Sequence, residues 1–174
     1  MGSPILPFIG IGLTVLAVLF YIIATATNAW ASHRGVDSTA DLGLWKSCYG
    51  STCDTLGFIL TNADAIYVSR FAMITAILVA VGALIIPLLV FFKKLQKKLV
   101  KVSAGLIIGT AVLVLCGTIS FAVFKEDRLT EYGYGYSIIL AWLSIPIAIA
   151  GGVLILLGGL ETPVKFMEND VALA

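Results

Sequence analysis

Charge is what this sequence has least of. Only 12% of its 174 residues are Asp, Glu, Lys or Arg, against 60% that are hydrophobic. A water-soluble domain of this length needs more polar surface than that to cover its core. Four long apolar runs, at about 5–29, 66–92, 102–124 and 135–160, hold the excess. Within them there is no carboxylate pair, no lysine and no ladder of arginines. Such groups mark ion paths, proton relays and voltage sensors, so their absence argues against a pump or sensor built from one chain. Histidine is reduced to His33, and cysteine to three residues. Cys48 and Cys53 stand five apart with no second ligand pair, a poor match to zinc-ligand spacing. There is no phosphate-cradling glycine loop, no nucleophile elbow and no His–acid pair. No metal, cofactor or nucleic-acid partner is expected, and no enzymatic activity.

Each apolar run is long enough, as a helix rising about 1.5 Å per residue, to cross a hydrocarbon core of about 30 Å. The expectation is a mainly α membrane protein, one domain over 1–174, with the lipid bilayer as its first partner. The connector at about 93–101 carries Lys93, Lys94, Lys97, Lys98 and Lys101 and no acid. The connectors at about 31–65 and 125–134 mix both signs. A short lysine-rich loop belongs on the cytoplasmic side, which places both termini, including the tail at about 161–174, inside. The lysines read first as a topology determinant and second as a site for anionic lipid headgroups. No Lys or Arg precedes Arg34, so the first run is read as a retained span rather than a signal peptide.

Small residues recur where charge is missing. Gly105 and Gly109 form a small-xxx-small pair, and Gly151, Gly152, Gly158 and Gly159 repeat at a spacing of seven. They are expected to let helices approach closely within the bundle, with self-association as the alternative. Cys116 reads as a small apolar packing residue.

The first connector is too long for a simple turn. Gly50-Ser51 between the cysteines suggests a tight β-hairpin, with a second strand pair near 55–61. Outside the cell a Cys48–Cys53 bridge would fix that turn, with two free thiols as the alternative. Trp30 fits an aromatic belt at the membrane boundary. Trp45, inside a polar loop, has to be buried against the bundle or a partner. Arg70 is a candidate donor to loop carbonyls. Asp37, Asp41, Asp54 and Asp64 are the acids that could face an ion, or simply a solvated rim.

Trp30, Gly43-Leu44-Trp45, Cys48, Cys53 and Arg70 together resemble the signature of the claudin superfamily. That superfamily includes the peripheral myelin, epithelial membrane and lens fibre membrane proteins and the calcium-channel gamma subunits. The resemblance covers nearly the whole chain. The run Tyr134-Gly135-Tyr136-Ser137-Ile138-Ile139-Leu140-Ala141-Trp142 looks most like the lens fibre, myelin and epithelial branch. The resemblance implies a claudin-like four-helix bundle under a small extracellular antiparallel sheet. It makes Trp30, Leu44 and Trp45 anchors of that sheet, Cys48 and Cys53 its disulfide, and Arg70 its brace. The first loop is shorter than in typical claudins. Three functions follow as expectations. The first is a plasma-membrane protein of cell–cell contacts that self-associates in cis and in trans. The second is an auxiliary subunit of an ion channel or receptor. The third is a paracellular barrier or channel.

Overall fold

The computed structural model describes residues 5–35, 39–56, 64–93 and 97–161. Four helices make the body: α1 (Leu6–Ala26), α2 (Asp64–Lys93), α3 (Lys97–Arg128) and α4 (Tyr136–Glu161). Each contains a stretch long and apolar enough to span a membrane: Leu6–Ala26, Ala65–Leu89, Lys98–Arg128 and Tyr136–Gly158. Large side chains such as Leu19, Phe71, Leu78 and Ile119 point outward. The interior is lined mostly by small ones, among them Ala17, Ala76, Ala80, Ala104 and Ala111. This is the inverse of a soluble bundle. Lipid is as apolar as leucine, so close backbone approach, not apolar burial, holds such helices together. α4 packs against both α1 and α3, and α2 packs mainly on α3.

The glycines divide by face. A Cβ on Gly151 would meet Thr14 Oγ1 at 2.5 Å, and one on Gly158 would meet Pro7 Cδ at 2.5 Å, so both lie in the α1–α4 contact. A Cβ on Gly152 would meet Ile108 at 2.8 Å, in the α3–α4 contact. Gly105 and Gly109 have nothing within 4 Å of that position. The expectation that this pair packs within the bundle is therefore corrected: it lies on the outer surface of α3. Cys116 is exposed on α3 as well, rather than packed inside. The surroundings of Gly159 lie outside the described residues.

Helix ends depart from the apolar runs for local reasons. α1 stops at Ala26 because Thr27 is already extended, and its N–H returns to the Ile23 carbonyl. α3 runs past the apolar run at about 102–124 at both ends, where lysines and, at its C-terminal end, acids continue the helix.

Five short strands cap one end: β1 (Ala31–Arg34), β2 (Thr39–Leu42), β3 (Lys46–Tyr49), β4 (Thr52–Thr55) and β5 (Gly133–Tyr134). They form one sheet in the order β4-β3-β2-β1-β5, and every described pairing is antiparallel. The β3–β4 hairpin turns at Gly50-Ser51, where Gly50 has φ 59°. Only glycine adopts that left-handed backbone freely. The second strand pair expected near 55–61 falls largely outside the described residues, which stop at Leu56 and resume at Asp64; β4 ends at Thr55, and a further pair, β1–β2, lies earlier in the loop. β1 reads Ala-Ser-His-Arg, a sequence of little intrinsic strand preference, so pairing context makes it a strand.

Candidate functional site

The end of α1 presents carbonyls that the helix itself cannot satisfy. Water is scarce at a membrane boundary, so each needs a donor from the protein. Thr27 donates both its N–H, at 3.0 Å, and its hydroxyl, at 2.7 Å, to the Ile23 carbonyl. The Trp30 indole N–H donates to the Ala24 carbonyl at 2.7 Å. The Trp45 indole N–H donates to the Thr25 carbonyl at 2.9 Å. Two tryptophans from the loop therefore complete the C-terminus of the first helix. Trp30 is fully buried and meets Phe121 of α3 edge-on, with ring centroids 5.0 Å apart.

Arg70 of α2 reaches the same place from the other side. Its Nε donates to the Leu44 carbonyl at 2.7 Å and its Nη2 to the Leu56 carbonyl at 3.2 Å. Its guanidinium lies 5.0 Å from the centre of the Trp45 ring and 5.4 Å from that of Tyr67. Arg70 is only 4% exposed, and Leu44 is fully buried beside it. Gly43 lets the loop close on α1, since a Cβ there would lie 2.5 Å from the Asn28 Cα. Gly135 does the same on the far side: a Cβ would overlap the Ala29 carbonyl oxygen. This leaves room for the Gly135 N–H to reach the Trp30 carbonyl, and the Ser137 N–H that of Ala29, both at 3.0 Å.

Cys48 and Cys53 stand directly opposite each other across β3 and β4 and are joined by a disulfide. Their Cα atoms are 4.0 Å apart. The Gly50 N–H donates to the Thr39 carbonyl at 2.8 Å, tying the turn to β2. β4 is the terminal strand on this side, and all four of its residues are exposed.

The opposite sheet edge has its own latch, which the sequence did not signal. Lys125, near the end of α3, is 6% exposed. Its Nζ contacts Glu126 Oε1 at 2.9 Å and lies 4.7 Å from the centre of the Tyr134 ring. The Tyr134 hydroxyl donates to the same carboxylate oxygen at 3.1 Å. The hydrogen bond from Lys125, then that from Tyr134, then the lysine charge hold the Glu126 carboxyl below its ordinary range. Desolvation, then the Glu126 hydrogen bond, raises Tyr134. Beside this latch an open groove of about 510 Å³ runs past Ser32, His33, Arg34, Glu131 and Tyr136. His33 Nδ1 lies 3.0 Å from the Glu131 carbonyl, which only accepts, so that nitrogen carries the proton.

The two acids whose side chains are described, Asp41 and Asp54, do not converge. Asp41 pairs with Cys48 and Asp54 with the next residue, Ser47. Successive strand residues face opposite ways, so these carboxylates lie on opposite faces of the sheet. Asp64 opens α2 with its side chain outside the described residues, and Asp37 lies outside them entirely. Among the described residues, no three His, Cys, Asp or Glu side chains come together to hold a metal ion. Of the lysines, Lys98 and Lys101 are exposed at the start of α3, Lys93 ends α2 and Lys97 begins α3, and Lys94 lies outside the described residues.

A sheet tied to a four-helix bundle through Trp30, Gly43-Leu44-Trp45 and Arg70 agrees with an independent sequence finding. The sequence model of the PMP-22/EMP/MP20/Claudin family matches residues 1–155. The chain belongs to this family. It is similar to human epithelial membrane protein 1, with 28% identity over 144 residues, covering 82% of this chain and 89% of that protein. The rat lens fiber membrane intrinsic protein is 28% identical over 149 residues, 79% of this chain and 82% of its own. Zebrafish (Danio rerio) epithelial membrane protein 2 is 28% identical over 152 residues, 82% and 89% of the two chains. This member of the family is a non-enzymatic, multi-pass membrane protein with a disulfide in its sheet.

Proposed function

We propose that the protein works at the plasma membrane in cell–cell contacts, with both termini cytoplasmic and the sheet outside. It presents a disulfide-fixed hairpin for adhesion and lateral self-assembly. The observation that carries this reading is a division of labour within the sheet. Its inner part is held to the helices by two indole donors and a buried arginine, while β4, at its far edge, is wholly exposed. An edge strand offers unpaired backbone donors and acceptors, and a rigid mount lets it meet a partner without an ordering penalty. The orientation is supported by the sheet and the lysines standing at opposite ends of the bundle.

The test is expression in cells that lack contacts of their own, scored for clustering in mixed suspension and for strands in freeze-fracture images. Clustering lost on substituting β4 surface residues, with surface delivery intact, supports the proposal. No clustering and no strands at full surface expression would sink it. Stoichiometric co-purification with a channel or receptor, in place of self-association, would instead favour the auxiliary-subunit reading.

A further inference from the structure

The outer face of α3 carries a feature that the sheet does not use. Lys98, Lys101, Val102, Gly105, Gly109 and Val112 are all exposed, and their spacing of three and four residues puts them on one side of the helix. The strip is cationic at its mouth and dips at the two glycines between the exposed Val102 and Val112: a Cβ at Gly105 or Gly109 would have nothing within 4 Å. Beyond Val112 the same side is filled again by Leu115, Ile119 and Val123. From Lys101 to Val112 the rise is about 16 Å, roughly one leaflet's share of the hydrocarbon core. The first turn of α3 contains no acid, so its lysines stand at the positive end of the helix dipole with no carboxylate of that turn to offset them.

We infer that this strip is a binding site for one anionic phospholipid of the leaflet at the lysine end. Lys98 and Lys101 hold the headgroup phosphate, and one acyl chain lies along Gly105 and Gly109. Charge complementarity selects the occupant. A second copy of the chain would bring the same two lysines to the interface, whereas an anionic lipid neutralises them. The leaflet is the cytoplasmic one if the orientation proposed above holds. Binding in a nanodisc is independent of that orientation, so the two proposals fail separately.

Cys116 gives the readout. It is exposed near the end of the strip and is the free thiol, the other two cysteines being bridged. The full chain, labelled there with bimane, is placed in phosphatidylcholine nanodiscs doped with nitroxide-chain phosphatidylserine or nitroxide-chain phosphatidylcholine. Phosphatidylserine should quench more strongly at equal mole fraction. Lys98→Gln/Lys101→Gln should reduce that preference by tenfold or more. Gly105→Leu/Gly109→Leu, whose Cβ atoms enter open space, should lower quenching by both lipids while leaving the chain's oligomeric state unchanged. Equal quenching by the two lipids, or a preference that survives loss of both lysines, overturns the proposal. Two further results would also overturn it. In one, the leucine variant breaks an oligomer without altering quenching, which gives the strip to a second copy. In the other, preference appears only after residues 162–174 are removed, which gives the lysines to the tail.

Discussion

Arg70 and Trp45 form the joint on which the sheet depends, and their coupling can be measured. Arg70→Met keeps most of the side-chain volume but withdraws the donors from the Leu44 and Leu56 carbonyls and the cation from the Trp45 ring. A hydrogen bond from a charged group contributes about 1.5–3 kcal/mol, and orphaning a buried carbonyl costs on a similar scale. A desolvated cation–π contact adds about 1–2 kcal/mol. The expected loss is on the order of 4–6 kcal/mol, as large as the whole stability of many domains. The sheet should therefore come away while the helices remain. Arg70→Lys keeps the charge but not the fork, and should lose roughly half of this. Trp45→Leu removes the donor to Thr25 and the same ring, so the double variant should cost about 1–2 kcal/mol less than the sum of the singles. Hydrogen exchange in micelles reads this directly. The Gly43 and Leu56 amides, which donate to Lys46 and Trp45 at 2.9 and 2.8 Å, should lose protection while α4 amides keep theirs. Protection within about 0.5 kcal/mol of the parent in Arg70→Met, or strict additivity in the cycle, would refute the reasoning.

Trp30→Phe keeps an aromatic ring against Phe121 but orphans the Ala24 carbonyl, and should cost about 1–3 kcal/mol in detergent unfolding; a neutral result would mean that packing alone anchors it. Gly43→Ala drives a Cβ into the Asn28 backbone and should destabilise by about 1–3 kcal/mol, measured as reduced surface delivery, with Gly50→Ala, a matter of φ alone, costing about 1–2. Glu126 has a depressed pKa, so its contribution is present above the unfolded value and is lost as pH falls through the folded one. Tyr134, raised, loses its contribution only as pH rises through its folded value, well into the alkaline range. The β5 latch should hold across the neutral range and open in acid below the ordinary glutamate range, read as a change in Tyr134–Trp142 ring contact by fluorescence. Glu126→Gln should remove most of the acid transition.

The spans were legible because lipid imposes length and hydropathy on them, and a window of residues carries both. Which side of a span faces inward was not. Gly105/Gly109 and Gly151/Gly158 look alike in sequence, yet one pair faces out and the other is pressed against α1. In water, hydrophobic periodicity would tell them apart. Here the outer face is as apolar as the inner one, and the periodic signal vanishes. The cross-strand cysteines and Arg70 stood out because a charged or oxidisable group is rare in such a chain. The close approaches at Gly10, Gly117 and Gly135, where a Cβ would crowd a neighbouring segment, were not legible. Their neighbours come from distant sequence, and nothing local announces them. Lys125 read as one charge in a mixed loop, because its burial depends on a tyrosine nine residues on.

The two halves of the loop signature answer different physical demands. Tryptophan is needed at 30 and 45 because the site asks for a large apolar body and an N–H at once: the ring fills the bundle top and the indole donor ends α1. Phenylalanine supplies only the first, and a polar donor only the second. Arginine at 70 is needed because one planar cation can reach two carbonyls and lie near a ring at the same time. None of these demands reaches the hairpin tip. The Cys48–Cys53 bridge ties the edge strand to β3, with only the Asn28 amide, 4.0 Å from Cys48 Sγ, reaching it from the anchored side among the described hydrogen bonds, and removing so short a loop closure costs about 2 kcal/mol, a loss felt locally. Anchor and tip therefore separate in their consequences. Changes at Trp30, Trp45 or Arg70 that remove both the body and the donor should detach the sheet and with it every function that needs the sheet. Changes at Cys48, Cys53 or β4 should leave a folded, membrane-inserted protein whose hairpin no longer has one fixed shape. Partner recognition, on the proposed reading, is sensitive to the second class while bundle stability is not, and that separation is what a purely structural loop would fail to show.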